Sequence, residues 1–294
     1  MIGRFLARAL WALGTVCIAV AAQGQPAAPT AKQLKAKSAA EAKALQALAT
    51  TQDPEARIKA ADEFVMKFPD SEFKSAVLVV EAEDYTQKND PAKAIVTAEQ
   101  ALEADPKNYM PMLLLARAIA QTTQEFDLDR EEKLGRAEKY ANSAIEILKT
   151  APKSSPAITD EQWALGRTDL IAQAHEALGL AAMVRKDDNT AIAEFQTTVQ
   201  GSHPLDPATL VRLGSAYDRA KRYDEAITVL DRAIAMPEAL PQVRQIAQTA
   251  RAHAMRAKAA AAAKAAAAAA PPAPAAVPAP PATAPPAPPE PQKP

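Results

Sequence analysis

The sequence predicts an all-α fold: a solenoid of stacked helix–turn–helix repeats, closed by a further helix and followed by a disordered Ala/Pro-rich C-terminal tail. Three observations carry that reading. Aromatic residues are only 4 % of the 294, and small apolar residues dominate. This disfavours strands, which favour β-branched and aromatic side chains, and suits helices, for which alanine is the best former. One outline of residues is written several times at a fixed internal interval. Proline, which lacks an N–H and clashes inside a helix, closes the clear copies.

The first element is an address. MIGRFLARALWALGTVCIAVAAQGQPAAPT places Arg4 and Arg8 before an apolar run, Ala9 to Ala22, followed by the small residues Ala19-Val20-Ala21 or Ala22-Gln23-Gly24. That is the order of a cleaved secretory signal, expected over residues 1–24. The run is shorter than the roughly 20 apolar residues a spanning helix needs. Val16 stands before Cys17 where a lipid-attachment site would take a small residue. The mature chain is therefore expected to be exported, periplasmic or secreted, with no stable membrane insertion. Cys17 is the single cysteine, so removal of the signal leaves no thiol for a disulfide, a cysteine nucleophile or a Cys-based zinc site. Residues 25–40 read as a linker.

The repeats follow, over residues 41–238. Leu213-Gly214, Tyr217, Ala226, Leu230 and Ala233 are closed by Pro237. Leu178-Gly179, Ala182, Ala191, Phe195 and Thr198 have Pro204 beyond them. Ala82, Tyr85, Ala94, Ala98 and Ala101 end at Pro106. The interval from Gly214 to Ala226 is 12, as it is from Gly179 to Ala191 and from Ala82 to Ala94. Small residues at these places let two helices of a hairpin approach closely. This spacing resembles the tetratricopeptide repeat, a helix–turn–helix unit of about 34 residues. The resemblance implies a right-handed superhelical solenoid, because one hairpin cannot bury its apolar face alone and must stack on others. A weaker copy has Ala60 and Phe64 and ends in Phe68-Pro69-Asp70-Ser71. That ending is similar to one found in envelope tetratricopeptide proteins that assist outer-membrane assembly, though four residues do not carry that function over. An irregular middle copy has Leu115-Ala116 and then Ala137, Ala141 and Ala144. Its internal interval is 21, an insertion of nine expected in the loop Thr122 to Gly135.

A second irregularity lies over 153–171. Thr159 and Gln162 form a capping-box pattern, opening a helix expected to reach about Arg185 and to exceed a standard first helix by some two turns. Trp163 on it reads either as an aromatic anchor for a partner or as a plug against the neighbouring helix. Residues 239–268 read as a capping helix, with Val243, Ile246, Ala250 and Ala254 on one face, running into an alanine-rich stretch. Residues 269–294 hold 12 of the 25 prolines, all from Pro271 onward. At about 3.1 Å per residue an extended chain of 24 residues reaches roughly 75 Å. It reads as a solubilising tail, or as a spacer or ligand for a proline-binding groove.

No enzyme is expected. His175, His203 and His253 lack partners at metal-binding or catalytic spacing, and no G-x-S-x-G, P-loop or G-x-G-x-x-G occurs. No cofactor and no metal are therefore called for. Asp127, Asp129, Glu131 and Glu138 alternate like calcium ligands, but Glu132 stands where the sharp turn needs Gly. The insertion reads as a solvated acidic loop with Phe126 and Leu128 tucked onto the neighbouring repeat, or as a docking loop. With 34 basic and 35 acidic residues, no global charge points to nucleic acid.

The family resemblance implies a binding groove lined by the second, fifth, ninth and twelfth residues of each first helix. Carried over, these are Val79 and Glu83 (beside Ala76 and Thr86), then Met110, Leu113 and Arg117 (beside Ala120). The next repeat supplies Glu176, Leu180 and Met183 (beside Gln173), and the last Val211, Ser215 and Asp218 (beside Ala208). Some members clamp a peptide carboxylate with Lys and Asn at the fifth and ninth places, and those residues are absent here. The mixed apolar lining suits an amphipathic helix or an extended apolar peptide of a protein partner. Alternatively, part of it packs against the next repeat. The expected function is a protein-binding scaffold or adaptor of the cell envelope. The alternative is a structural spacer, or a cell-wall-associated component, acting through the Pro-rich tail.

Overall fold

The computed structural model describes residues 34–153 and 155–269. The signal reading and the Pro/Ala tail lie outside the described residues. Among those residues there are eleven helices and no strand. The first hairpin is α1 (Ala39–Thr50) and α2 (Pro54–Lys67). The second is α3 (Lys74–Gln87) and α4 (Pro91–Ala104), and the third is α5 (Tyr109–Thr122) and α6 (Arg130–Thr150). The fourth is α7 (Asp160–Arg185) and α8 (Asp188–Gly201), and the fifth is α9 (Pro207–Arg219) and α10 (Tyr223–Ala235). A long α11 (Pro241–Ala269) closes the stack. Each helix packs on its chain neighbours and on the next hairpin, so the core is a row of small clusters. This is the all-α solenoid expected from the repeats.

Local chemistry sets the helix ends. Asp53-Pro54, Asp90-Pro91 and Asp206-Pro207 start three helices alike. The carboxylate accepts a first-turn N–H, at 2.8 Å from Ala56, 3.1 Å from Lys93 and 2.9 Å from Ala208. Proline takes the first helical place, where no N–H is needed. Thr159 and Gln162 form the reciprocal capping box, with bonds of 3.2 and 3.0 Å. In the second, fourth and fifth hairpins the turn passes through one left-handed residue, Asn89, Lys186 or Lys221, with φ of 58°, 63° and 61°. Each stands five residues before the alanine that opens the second helix.

Within a hairpin, size at one place answers size at another. A Cβ on Gly179 would lie 2.8 Å from the Phe195 ring, and one on Gly214 would lie 2.5 Å from Leu230 Cγ. Phe195 and Leu230 are fully buried, so neither can retreat. In the second and third hairpins the equivalent residues are alanine on both sides, Ala82 with Ala98 and Ala116 with Ala141, all buried. Small faces large, or medium faces medium.

Between hairpins, polar contacts recur at about one repeat. Lys88 pairs with Glu55, Asn108 bonds Ser75, and the His203 N–H donates to Asp169. Arg219 donates to the Met183 carbonyl, and His253 Nδ1 lies 2.7 Å from Asp218. All are 33 to 36 residues apart. Arg185 breaks the rule, pairing with Glu131 at a separation of 54 and with Glu138 at 47, because the insertion intervenes. The insertion itself is only partly loop. Arg130 to Gly135 are helical and lengthen α6 by a turn, leaving a connection of residues 123–129.

The extended start of α7 folds back on the end of α6. The Trp163 indole N–H donates to the Ala151 carbonyl at 3.2 Å, and Arg167 reaches the Lys149 carbonyl at 3.4 Å. These carbonyls are among those a helix end leaves unsatisfied. Half-buried Trp163 is thus a plug for the α6 terminus. Phe68-Pro69-Asp70-Ser71 is also structural. Ser71 donates to buried Glu41 at 2.5 Å, the Asp70 carbonyl accepts from Lys37, and the Phe68 ring packs on Phe64.

The glycines give a direct check. Gly214→Ala is expected to destabilise by about 1–3 kcal/mol through overpacking. Gly135 and Gly166, also helical, have nothing within 4 Å of a built Cβ, so Ala there is expected to stabilise by about 0.5–1 kcal/mol. Urea unfolding of the three variants reads both signs.

Candidate binding groove

The candidate groove lies on the first helices α3, α5, α7 and α9. Their fifth places turn inward: Val79, Leu113, Glu176 and Val211 are only 7, 6, 6 and 9 % exposed. The three aliphatics join the core between hairpins. Glu176 is held by two residues of α9, Arg212 at 2.5 Å and Thr209 at 3.4 Å. A buried carboxylate is tolerated when it is paired and hydrogen-bonded. These four side chains are therefore assigned to packing, not to a free lining.

The ninth places stay half-buried: Glu83, Arg117, Leu180 and Ser215. Met110 and Met183 are half-buried beside them and pack partly on the core. Ser215 turns its hydroxyl to the Val211 carbonyl at 2.9 Å. Asp218 shares one oxygen with His253, while its other oxygen is buried without a hydrogen-bond partner. Arg117 pairs with no acid among the described residues. Ala120 is buried and Thr86 is exposed. The half-buried ninth places Glu83, Arg117, Leu180 and Ser215, one on the first helix of each of the second to fifth hairpins, form the partly open strip, with Met183 of a twelfth place packed on the same cluster as Leu180.

The N-terminal end of this strip is acidic in an unusual way. Asp84 is fully buried and bound by Arg57 of α2, with Nε 2.7 Å from Oδ2 and a second contact from Nη2. Arg57 also donates to the Thr51 carbonyl at 3.1 Å. Burial pushes the Asp84 carboxyl up despite its hydrogen bonds to Arg57. Burial, reinforced by Asp62 and Asp84, raises Glu81 to about 7. Burial, reinforced by Asp84 and opposed by Arg57, raises Glu83 to about 7. Arg57, Glu81 and Asp84 are absent from the sequence-based lining. The available signal was two acids, Glu81 and Asp84, on an α3 face otherwise made of Val77, Leu78 and Val80.

A pH prediction follows from the raised carboxyls. Glu81 and Glu83 hold their protons in the folded chain at pH values where the unfolded chain has released them. Their contribution is therefore fully present below about 4.5 and lost as pH rises through about 7. Between pH 5.5 and 8 the Tm of the wild type should fall more steeply than that of Glu81→Gln/Glu83→Gln, measured by circular dichroism. Equal slopes would exclude the raised values.

Among the described residues no helix is long and apolar enough to cross a membrane, and no group of three or more acids or histidines could hold a metal ion. No individual curated protein matches the sequence. The tetratricopeptide repeat family model matches residues 85–108, which span the turn and second helix of the second hairpin, and residues 207–239, which span the fifth hairpin. Two segments of the chain thus match the tetratricopeptide repeat, within an all-α solenoid of stacked hairpins.

Proposed function

We propose that this protein is an interaction scaffold that holds a segment of a protein partner along the ninth-place strip. Tetratricopeptide repeats support protein–protein interaction in general. The observation that supports this particular surface is Arg117, a half-buried cation with no acid of its own among the described residues. A partner carboxylate seated there would form a charge-assisted bond. Leu180 and Met183 offer adaptable apolar contact further along, and Glu83 adds a carboxyl that burial raises to about 7. We place the mature chain in the periplasm or outside the cell, on the strength of the N-terminal charged, apolar and small-residue order.

A second reading rests on α11. Lys258 pairs with Asp224, and the alanine-rich turns from 259 to 269 are exposed beyond it. A helix projecting past the last hairpin suits a spacer that carries the Pro-rich tail away from the stack.

One experiment separates the two. A photo-crosslinking residue at Met183, in cells of the source, should give a dominant protein adduct, and Arg117→Ala should cut its yield about tenfold. Removal of residues 271–294 should leave the yield unchanged. If tail removal abolishes the adduct and Arg117→Ala does not, the spacer reading replaces the groove. Leu113→Asp and Val211→Asp would be uninformative, since both bury a charge in the core. N-terminal sequencing of the purified chain tests export: a start at Met1 would refute it.

A further inference from the structure

We infer that the seam between α2 and α3 is a pH-sensitive latch: a proton on Glu81 holds the first hairpin on the stack, and loss of that proton frees it while the other hairpins stay folded. The first hairpin is attached on one side only. α1 packs on α2 and α2 on α3, whereas every other hairpin is covered on both sides. In a stack of repeats each unit is held by its neighbours, so a terminal one opens most readily. The seam is apolar near the connection between the two helices, where Phe64, Phe73, Val77 and Val80 pack together. Further along it is acidic.

Glu81 is only 5 % exposed, and among the described residues no hydrogen bond reaches its carboxylate. The cations around it are committed elsewhere. Arg57 of α2 bonds both oxygens of Asp84 and the Thr51 carbonyl. Lys88 pairs with Glu55 at 2.8 Å. Lys93 of α4 lies 5.3 Å from the centre of the Tyr85 ring and 3.8 Å from Asp90. From α5, Met110 and Leu114 meet α3 with apolar contact. The charged groups left to act on Glu81 are two acids, Asp62 of α2 and Asp84 of its own helix. Asp53 adds to the negative potential at Asp84. Glu83 falls on the far side of α3, with Val79, two residues along a helix of 3.6 per turn.

Ionised Glu81 is costly in this place, because burial removes its water and no donor replaces it. Burial first, then the two acids, raise it to about 7. Its contribution to the closed seam is fully present below about 4.5 and is lost as pH rises through about 7. Opening α2 from α3 hydrates Glu81 and separates it from Asp62. The Arg57–Asp84 and Lys88–Glu55 pairs cross the same seam and resist opening on both sides of neutrality, so the change with pH belongs to Glu81.

The test is hydrogen–deuterium exchange of the full chain at pH 6 and pH 8, read by mass spectrometry and corrected for intrinsic amide rates. Protection of α1 and α2 should fall about tenfold between the two, the linkage of one carboxyl that titrates near 7 when closed and in its ordinary range when open. Protection of α8 to α10 should not change. Glu81→Gln should abolish the loss and Glu83→Gln should leave it. Asp62→Asn alters an exposed residue that the fold does not need, and should reduce the loss even if Glu81→Gln fails to fold. The full loss persisting in Asp62→Asn or in Glu81→Gln would overturn the proposal. So would constant protection in the wild type, a loss abolished by Glu83→Gln, or an equal loss in every hairpin, which is global unfolding.

Discussion

The stack depends on one packing constraint: inside the second to fifth hairpins, the two helices come as close as the side chains at a single pair of places allow. Where the second helix brings Phe195 or Leu230, the first helix has no side chain at all, at Gly179 or Gly214. Where the second helix brings only Ala98 or Ala141, the first helix can carry Ala82 or Ala116. The interhelical gap is filled either way, so hairpins of different sequence present similar outer surfaces to one another. Protein interiors are packed densely enough that a single methyl group at such a contact is felt.

From that regularity the rest of the architecture follows. Similar hairpins stack at a similar offset, which is why polar contacts between them recur near one repeat length. The same offset sets which first-helix places are sealed. The fifth place meets the next hairpin and is buried, even when it carries a charge, as Glu176 does with Arg212 and Thr209 to satisfy it. The ninth place meets the next hairpin only at its edge, and there the chain is free to vary, from Glu83 to Arg117 to Leu180 to Ser215. The partly open strip is a consequence of the stacking geometry, and its chemistry is what distinguishes one hairpin from the next.

Much of this was legible in the residues. The interval between the small residue and the opening alanine is a property of two helices in contact, so it survives in the sequence wherever the contact does. The Asp-Pro helix starts, the Thr159–Gln162 box and the long helix after them are local signals, complete within a few residues. What could not be read was anything set by the neighbouring hairpin. The spacing places Val79, Leu113 and Val211 on the right face of their helices, but not how deeply the next hairpin covers it. The Arg57–Asp84 pair joins residues whose spacing matches no repeat signal. Phe126 and Leu128 were assigned to the interior because apolar side chains usually go there. The ties from Lys133, Lys186 and Arg185 hold their loop outward instead, and half of the inserted length continues the helix.

The measurement that bears most directly on the central constraint is a double-mutant cycle at Gly179 and Phe195, read by urea unfolding of Gly179→Ala, Phe195→Ala and the pair. The account predicts strong coupling. An alanine at 179 fills space that the lost ring leaves, reproducing the Ala82–Ala98 arrangement, so the double variant should be more stable than the sum of the singles by at least about 1 kcal/mol. Additivity within about 0.5 kcal/mol would contradict it, and would mean that the closeness of the hairpin helices is set elsewhere.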